Sequence, residues 1–298
     1  LGRRGMDAWT GDSRENDDPM LVEQIRTRLL PRRGIYADSD QILITMGAQN
    51  ALYILASLLM TPETTIAMEE PGYTDARNIF GLKTRRTSLI PVDERGLPVD
   101  ERLETADYVF VTPSHQFPTT VTMPIERRQA LLAYASEHDM VIIEDDYEAE
   151  TNYVSDPTPA LKTLDTEDRV IYIGSLSKTL FPGLRLGYLV ASRELIAEAR
   201  CLRHLMLRHA PNNNQRTAAL FLSLGYHDTL IHRLHRAYRE RWEEIGTALQ
   251  TLMPNSTREP TFGGTSYWVR GPEGLDSEKL AVAAQQQGVL IEPGTIHF

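Results

Sequence analysis

The sequence predicts an α/β protein: a mostly parallel sheet sandwiched by helices, followed by a smaller α+β C-terminal domain. Three observations support this fold class. Short apolar runs alternate with amphipathic stretches over the first 190 residues, which is typical of parallel sheets covered on both faces. The pattern then changes to long helical periodicity. With 298 residues, 41% of them hydrophobic, the chain is long enough to bury a substantial core.

The alternating region supplies the sheet. Strands are expected over residues 41–45, 65–68, 108–111, 140–144, 170–174 and 185–190. Helices are expected from Gly47 to about Leu59, after Tyr73, and over residues 124–138. Ligands of such sheets bind where the loops leave the carboxyl ends of the strands, so we expect the functional residues at those loops.

The remaining chain is expected to be helical and then mixed. Helices are predicted over residues 192–209, 213–224 and 228–252, followed by a strand (265–269), a helix (276–287) and a strand (289–292). We therefore expect a large domain over residues 1–232 and a linker helix with a small domain over residues 233–298. The first residue is Leu1 and the last lies in mid-domain, so we expect both domains to be incomplete.

Composition excludes several function classes. The net charge is −10, so this stretch alone is expected to repel the phosphate backbone of DNA. No apolar run approaches the roughly 20 residues that span a bilayer, and no signal-peptide core is present, which predicts a cytoplasmic location. The single cysteine, Cys201, offers no metal-ligand spacing, so no metal site is expected.

A lysine in the stretch SLSKTLFPGLRLG indicates imine chemistry. Lys178 has Ser175, Ser177 and Arg185 nearby, and these side chains suit a phosphate dianion. The Gly47-Ala48-Gln49 turn opens a helix after a strand, so it adds backbone N–H groups and the positive end of a helix dipole. Two anion-binding elements are therefore expected beside one lysine.

The other candidates would serve a phosphorylated, aldehydic, pyridinic cofactor. Asp145 ends an apolar strand and could keep the ring nitrogen protonated. Tyr147 could donate to a phenolic oxygen, and Tyr73 could stack on the ring. Each residue alone has an ordinary explanation, such as a solvated loop, a helix cap or core packing. The ordered set at successive strand ends favours the functional interpretation.

Five motifs carry a resemblance to a known family. They are ITMGAQNAL, EEPGYTDAR, VTPSHQFPTTVTM, VIIEDDYEAE and YIGSLSKTLFPGLRLGYLV. Over residues 20–298 this order resembles fold type I pyridoxal-phosphate enzymes, the aspartate aminotransferase class. Within that class it looks most like the aminotransferase-like effector domain of MocR-type regulators of the GntR family.

The resemblance implies a pyridoxal 5'-phosphate site. Lys178 would form the imine, Asp145 would pair with the pyridine nitrogen, Tyr147 would pair with the phenolic oxygen, and Tyr73 would stack. The phosphate would be held by Ala48, Gln49, Ser175, Ser177 and Arg185. Ordinary aminotransferases of the class carry Asn-Pro-Thr-Gly where this chain has Phe117-Pro118-Thr119-Thr120.

Two main functions follow as hypotheses. The first is a sensor that binds a small amine or amino acid by imine exchange at Lys178, in a homodimer, with DNA contacted only through an N-terminal winged-helix domain outside this sequence. The alternative is a catalytically active class I/II aminotransferase, with Lys178 as general base and acid. A cofactor-free structural relative is a third interpretation. The identity of the amine or amino acid is left open by the sequence.

Overall fold

A seven-stranded sheet forms the centre of the molecule in the computed structural model, which describes residues 16–148, 150–152, 158–178, 180–254 and 263–298. The strands are β1 (Ile42–Thr45), β2 (Thr65–Glu70), β3 (Arg86–Pro91), β4 (Tyr108–Val111), β5 (Val141–Asp146), β6 (Val170–Ser175) and β7 (Gly187–Val190). Their spatial order is β1-β7-β6-β5-β4-β2-β3.

The direction of β7 differs from that of its neighbours. Strands β2 to β6 pair in parallel, whereas β7 is antiparallel to both β6 and β1. The first residue of β7, Gly187, is therefore in register with the last residues of β1 and β6, Thr45 and Ser175. The carboxyl ends of the parallel strands and the start of β7 meet at one edge of the sheet.

Helices cover both faces of the sheet. They are α1 (Pro19–Gln24), α2 (Gly47–Leu59), α3 (Thr74–Gly81), α4 (Ile125–Glu137), α5 (Leu161–Leu164), α6 (Arg193–Leu207), α7 (Asn212–Ser223), α8 (Tyr226–Leu252) and α9 (Ser277–Gln286). On one face, α2, α3 and α6 pack on alternate strand residues such as Ile143 and Leu189. On the other face, α1 and α7 cover one half of the sheet, and α4 and α5 cover the other.

The structure confirms the predicted fold class and differs from the sequence-based prediction in three details. Strand β3 was not predicted, and it lies at the sheet edge, where its side chains are mostly half-exposed. The strands expected over residues 265–269 and 289–292 are wrong: in the described part of the chain neither range forms a strand, although Val269 takes part in an isolated bridge. The expected boundary after residue 232 falls inside α8, and the division into two domains stays a prediction.

No helix in the described part of the chain combines the length and the apolarity that crossing a membrane requires.

Candidate functional site

A cavity of about 270 Å³ opens at the sheet edge where β7 begins. It is lined by Ala48, Gln49, Tyr73, Thr112, Phe117, Asp145, Tyr147, Ser175, Ser177, Lys178 and Arg185. All nine side chains singled out in the sequence are in this set. The other two lining residues are Phe117, which stands at the position of the family's asparagine, and Thr112, which was not expected although it follows β4 directly.

The first wall of the cavity is a cradle of anion-binding groups. Helix α2 begins at Gly47, whose φ of +77° is accessible to glycine at little cost. A Cβ on Gly47 would lie 3.4 Å from Nη2 of Arg185, so the guanidinium is packed against the helix N-terminus. The Ser177 N–H donates to Ser175 Oγ at 3.2 Å. These groups together provide the positive potential and the donors that a phosphate needs.

Asp145 supplies a buried carboxylate to the second wall. Its side chain is on the face of β5 that carries Ile143, and the residue is only 3% exposed. Within the described part of the chain, Asp145 Oδ1 has no hydrogen-bond partner. Burial, with smaller contributions from the Asp146 and Glu144 charges, raises the pKa of Asp145 to about 7. Such an atom is satisfied best by a cationic N–H donor from a ligand.

The next acidic residue, Asp146, points to the opposite face of the sheet from Asp145. Asp146 Oδ2 accepts from Arg33 Nε at 2.7 Å and from the Tyr172 hydroxyl at 2.8 Å. Arg33 Nη2 also donates to Ser114 Oγ at 2.8 Å, so one buried guanidinium ties the N-terminal segment to the ends of β4 and β5. Sequence reasoning missed Arg33, because nothing in LLPRRG distinguishes it from a surface arginine.

Aromatic rings form the third wall. Phe117 meets Tyr73 at a centroid distance of 5.6 Å and Tyr147 at 6.0 Å, both edge-on. The hydroxyl of Tyr73 accepts from Gln49 Nε2 at 3.2 Å. The Phe117 N–H donates to Thr112 Oγ1 at 3.0 Å, which fixes the loop that carries the ring. Burial raises the pKa of Tyr147 well above its usual value, so its hydroxyl remains a donor at neutral pH.

Lys178 lies at the open side of the cavity. Its side chain is 51% exposed, and Nζ lies 3.9 Å from Oε1 of the buried Glu148. Glu148 was not among the predicted site residues. It comes three residues after Asp145, in the loop that also carries Tyr147.

These groups fit the cofactor that the sequence suggested. The unpartnered oxygen of Asp145 suits a protonated ring nitrogen, and Ser177 Oγ is a second buried atom that lacks a partner among the described residues. The cradle suits a phosphate, and the cavity volume of about 270 Å³ is just below the range of about 300–1,000 Å³ for ligand pockets. A primary amine, that of Lys178, lines the same space.

Comparisons with known proteins agree with this arrangement. The family model described as aminotransferase class I and II matches residues 17–296. The HTH-type transcriptional regulator TauR of Rhodobacter capsulatus is 46% identical over 298 residues, which is all of this chain and 62% of that protein. The probable rhizopine catabolism regulatory protein MocR of Rhizobium meliloti is 34% identical, over 94% of this chain and 57% of that protein. The chain thus spans less than two thirds of these curated relatives.

Solved structures give the same result. The kynurenine aminotransferase of Pyrococcus horikoshii superposes with a TM-score of 0.91 at 30% identity, covering 99% of this chain and 76% of that chain. The α-aminoadipate aminotransferase LysN of Thermus thermophilus has a TM-score of 0.88 at 28% identity, over 99% of this chain and 76% of its own. The chain belongs to the class I and II aminotransferase family, in the fold type I pyridoxal-phosphate superfamily.

Proposed function

We propose that this chain is the effector-binding part of a MocR-type transcription regulator, which holds pyridoxal 5'-phosphate and binds an amino-bearing ligand at Lys178. The observation that carries the proposal is the cavity in which Lys178, an anion cradle and Asp145 come together, with Asp145 Oδ1 lacking a partner among the described residues. The regulator assignment is supported by similarity to two curated regulators over 94% or more of the chain.

Each of the nine cavity residues predicted from the sequence then has a task. The bound cofactor supplies an aldehyde that a primary amine captures reversibly and a ring that accepts electrons. Lys178 would provide the resident amine, Asp145 would hold a proton on the ring nitrogen, and Tyr147 would donate to the phenolic oxygen. Tyr73 would cover one face of the ring. The phosphate would be held by Ala48, Gln49, Ser175, Ser177 and Arg185.

The partners are part of the proposal. A small amine or amino acid would bind by exchange with the amine of Lys178, a second copy of the chain would complete a homodimer, and DNA would be contacted by an N-terminal winged-helix domain of the whole protein. The net charge of −10 supports a DNA contact made elsewhere. A cytoplasmic location follows from this role and stays a prediction.

Visible absorption spectroscopy tests the proposal directly. Pyridoxal phosphate is added to the purified chain, to Lys178→Ala and to Lys279→Ala, whose lysine is 86% exposed and serves as a matched control. We expect an absorbance band of lysine-bound cofactor in the wild type and in Lys279→Ala, and none in Lys178→Ala. If the wild type has no such band, the proposal is wrong.

Titration with amines and amino acids then separates sensor from enzyme. A stable spectral shift with one ligand and no keto product supports the sensor. Bleaching to the pyridoxamine form, reversed by a 2-oxo acid, supports the second candidate, an active aminotransferase. That candidate is favoured by the 30% identity to the kynurenine aminotransferase. It is disfavoured by Phe117, which stands where ordinary members of the class carry an asparagine.

A further inference from the structure

Glu148 is a buried carboxylate with no role in the function proposed so far. Its side chain is 2% exposed, and Oε1 lies 3.9 Å from Lys178 Nζ. Oε2 lies 3.5 Å from His115 Nε2. Within the described residues, Lys178 and His115 are the basic side chains within 4 Å of this carboxylate.

The charge of Glu148 is balanced by the lysine and not by the histidine. Burial lowers the pKa of His115; the Glu148 charge opposes this shift, and the Lys178 charge adds to it. His115 is therefore mostly neutral at neutral pH, and a neutral imidazole offers the carboxylate no counter-charge. A buried carboxylate needs a cation, and the ammonium of Lys178 is the one at hand.

The C-terminal segment fixes the carboxylate in this position. Thr265 Oγ1 donates to Glu148 Oε1 at 2.5 Å. Gly264 packs closely over His115 and Glu148: a Cβ on Gly264 would lie 2.4 Å from His115 Cε1 and 3.1 Å from Glu148 Oε2. The carboxylate is therefore held from two sides, with Oε1 turned toward Lys178.

Among the described residues, Glu148 is the acidic side chain that pairs with Lys178. Arg185 packs on the N-terminus of α2, and Asp145 faces the cavity from β5. Glu150, two residues beyond Glu148, pairs with His227 Nε2 at 3.1 Å and with Arg32 Nη1 at 3.5 Å. Glu150 thus carries the same charge in the same loop without facing Lys178.

We propose that Glu148 is a positioning residue for Lys178: its carboxylate, 3.9 Å from Nζ, pairs with the Lys178 side chain and links it, through Thr265, to the C-terminal segment. The inference deepens the proposed function and rests on it. A carboxylate that binds the free lysine stabilises the state in which an amino-bearing ligand has taken the place of the Lys178 amine. Ligand binding would then depend on Glu148 even without contact between the two.

Competitive acetylation tests the proposal without any cofactor. The 298-residue chain is treated with a trace of acetic anhydride, which reacts only with neutral amines, and mass spectrometry gives the ratio of acetylated Lys178 to acetylated Lys83. We expect Glu148→Gln to raise this ratio about threefold at pH 7.5, the size expected for a half-exposed ion pair. The matched control Glu150→Gln is expected to leave it unchanged.

The pH profile distinguishes charge from loosened packing. If Glu148 acts through its charge, the acetylation ratios of Glu148→Gln and wild type become more similar as the pH rises from 7.5 to 10.5, because lysine amines lose their extra proton in that range. A threefold rise that persists at pH 10.5 would mean better access and would overturn the proposal, as would an unchanged ratio at pH 7.5.

A second variant covers the case in which Glu148→Gln does not fold. Glu148→Asp keeps the charge but shortens the side chain by one methylene, which moves the carboxylate away from Lys178. A rise of about 1.5-fold in the acetylation ratio is therefore expected. An unchanged ratio in that variant contradicts the proposal. Because acetylation needs no cofactor, failure of Lys178 to bind pyridoxal phosphate would appear only in the absorption experiment, and the two proposals fail separately.

Discussion

Three successive acidic residues at the end of β5 show how strand geometry divides one sequence motif. Side chains alternate between the two faces of a strand, so Asp145 points opposite to Glu144 and Asp146. Glu144 accepts from the N–H groups of Leu161 and Lys162 at 2.8 and 2.9 Å, at the start of α5. Asp146 binds Arg33. Only the middle carboxylate faces the cavity.

This geometry predicts a pH-dependent stability that belongs to Asp145. Its carboxyl ionises near pH 4 in the unfolded chain and near pH 7 in the folded chain, so unfolding releases a proton between these values. The free energy of unfolding therefore falls as the pH rises from 4 to 7. We expect the free energy of unfolding of Asp145→Asn to decrease less than that of the wild type between pH 5 and 8. Urea unfolding of the cofactor-free chain at these two pH values measures it.

A matched control for this prediction is Asp168→Asn, whose carboxylate is 68% exposed. Its unfolding curve should follow that of the wild type at both pH values. Identical pH dependence of Asp145→Asn and wild type would contradict the raised pKa.

At the residue scale, the sequence identified the groups that carry chemistry and missed the groups that orient them. Lys178, Asp145 and Arg185 were predictable because their types and order suit one cofactor. Arg33 and Glu148 act through contacts with residues far away in the chain, and Thr265 reaches Glu148 from a segment whose predicted strand is not formed. Long-range contacts of this kind leave no local pattern in a sequence.

At the element scale, the contact between β7 and α2 holds the anion cradle together. A Cβ on Gly187 would lie 2.9 Å from the carbonyl carbon of Gly47 and 3.0 Å from the carbonyl oxygen of Gly174. Both neighbours are backbone atoms, which cannot rotate away. The strand and the helix N-terminus are therefore as close as two backbones can pack.

We predict that Gly187→Ala lowers the free energy of unfolding by about 2 kcal/mol, because overpacking forces a backbone shift. It should also weaken pyridoxal-phosphate binding at least tenfold, since the shift moves the start of α2. Gly183→Ala is the control: no atom of the described residues lies within 4 Å of its added Cβ, and its free energy of unfolding should stay within about 0.5 kcal/mol of wild type. Wild-type stability in Gly187→Ala would show that the contact is not tight.

Helix α4 is joined to the loop after β4 by a fully buried arginine. Arg128 donates from Nε to the carbonyl of Met123 at 2.9 Å, from Nη1 to that of Pro159 at 2.8 Å and from Nη2 to that of Pro113 at 2.7 Å. Burial lowers the pKa of Arg128 to about 10, against the opposing charge of Glu144. The bonds to Pro113 and Met123 fix both ends of the loop that presents Phe117, and the bond to Pro159 joins this loop to the segment before α5.

Replacement of this arginine should therefore be costly. We expect Arg128→Met to lower the free energy of unfolding by about 3 kcal/mol, because three buried carbonyls lose their donor. Arg127→Met, which removes the ion pair with the 46% exposed Asp93, should cost about 1 kcal/mol or less. Urea unfolding at pH 7 measures both, and equal losses would contradict the role given to Arg128.

The sequence predicted elements well where periodicity was strong and poorly at the margins. Helix α2 begins and ends where it was expected, because an apolar stripe fills its inner face. Strand β3 was not predicted, since RTSLIP lies at an edge of the sheet and Ile90 is its only fully buried residue. Residues 289–292 are as apolar as a strand, yet a strand forms only where a partner supplies its hydrogen bonds.

At the scale of the whole molecule, the proposed cofactor should act as a stabilising ligand. A ligand that binds only the folded chain adds about 2.7 kcal/mol at a concentration 100 times its Kd. We expect pyridoxal phosphate to raise the thermal unfolding temperature of the wild type by several degrees, and to raise that of Lys178→Ala less. Differential scanning calorimetry checks this, and equal shifts would show that the lysine does not hold the cofactor.

The pairing of β7 with β1 also bears on the order of folding. The cradle needs β1, the first strand of the sheet in the chain, to lie beside β7, the last. Pairing between distant segments closes a long loop and is slow to form compared with local contacts. The cradle should therefore mature after the central parallel strands, so that cofactor capture during refolding would report the completion of the sheet rather than its nucleation.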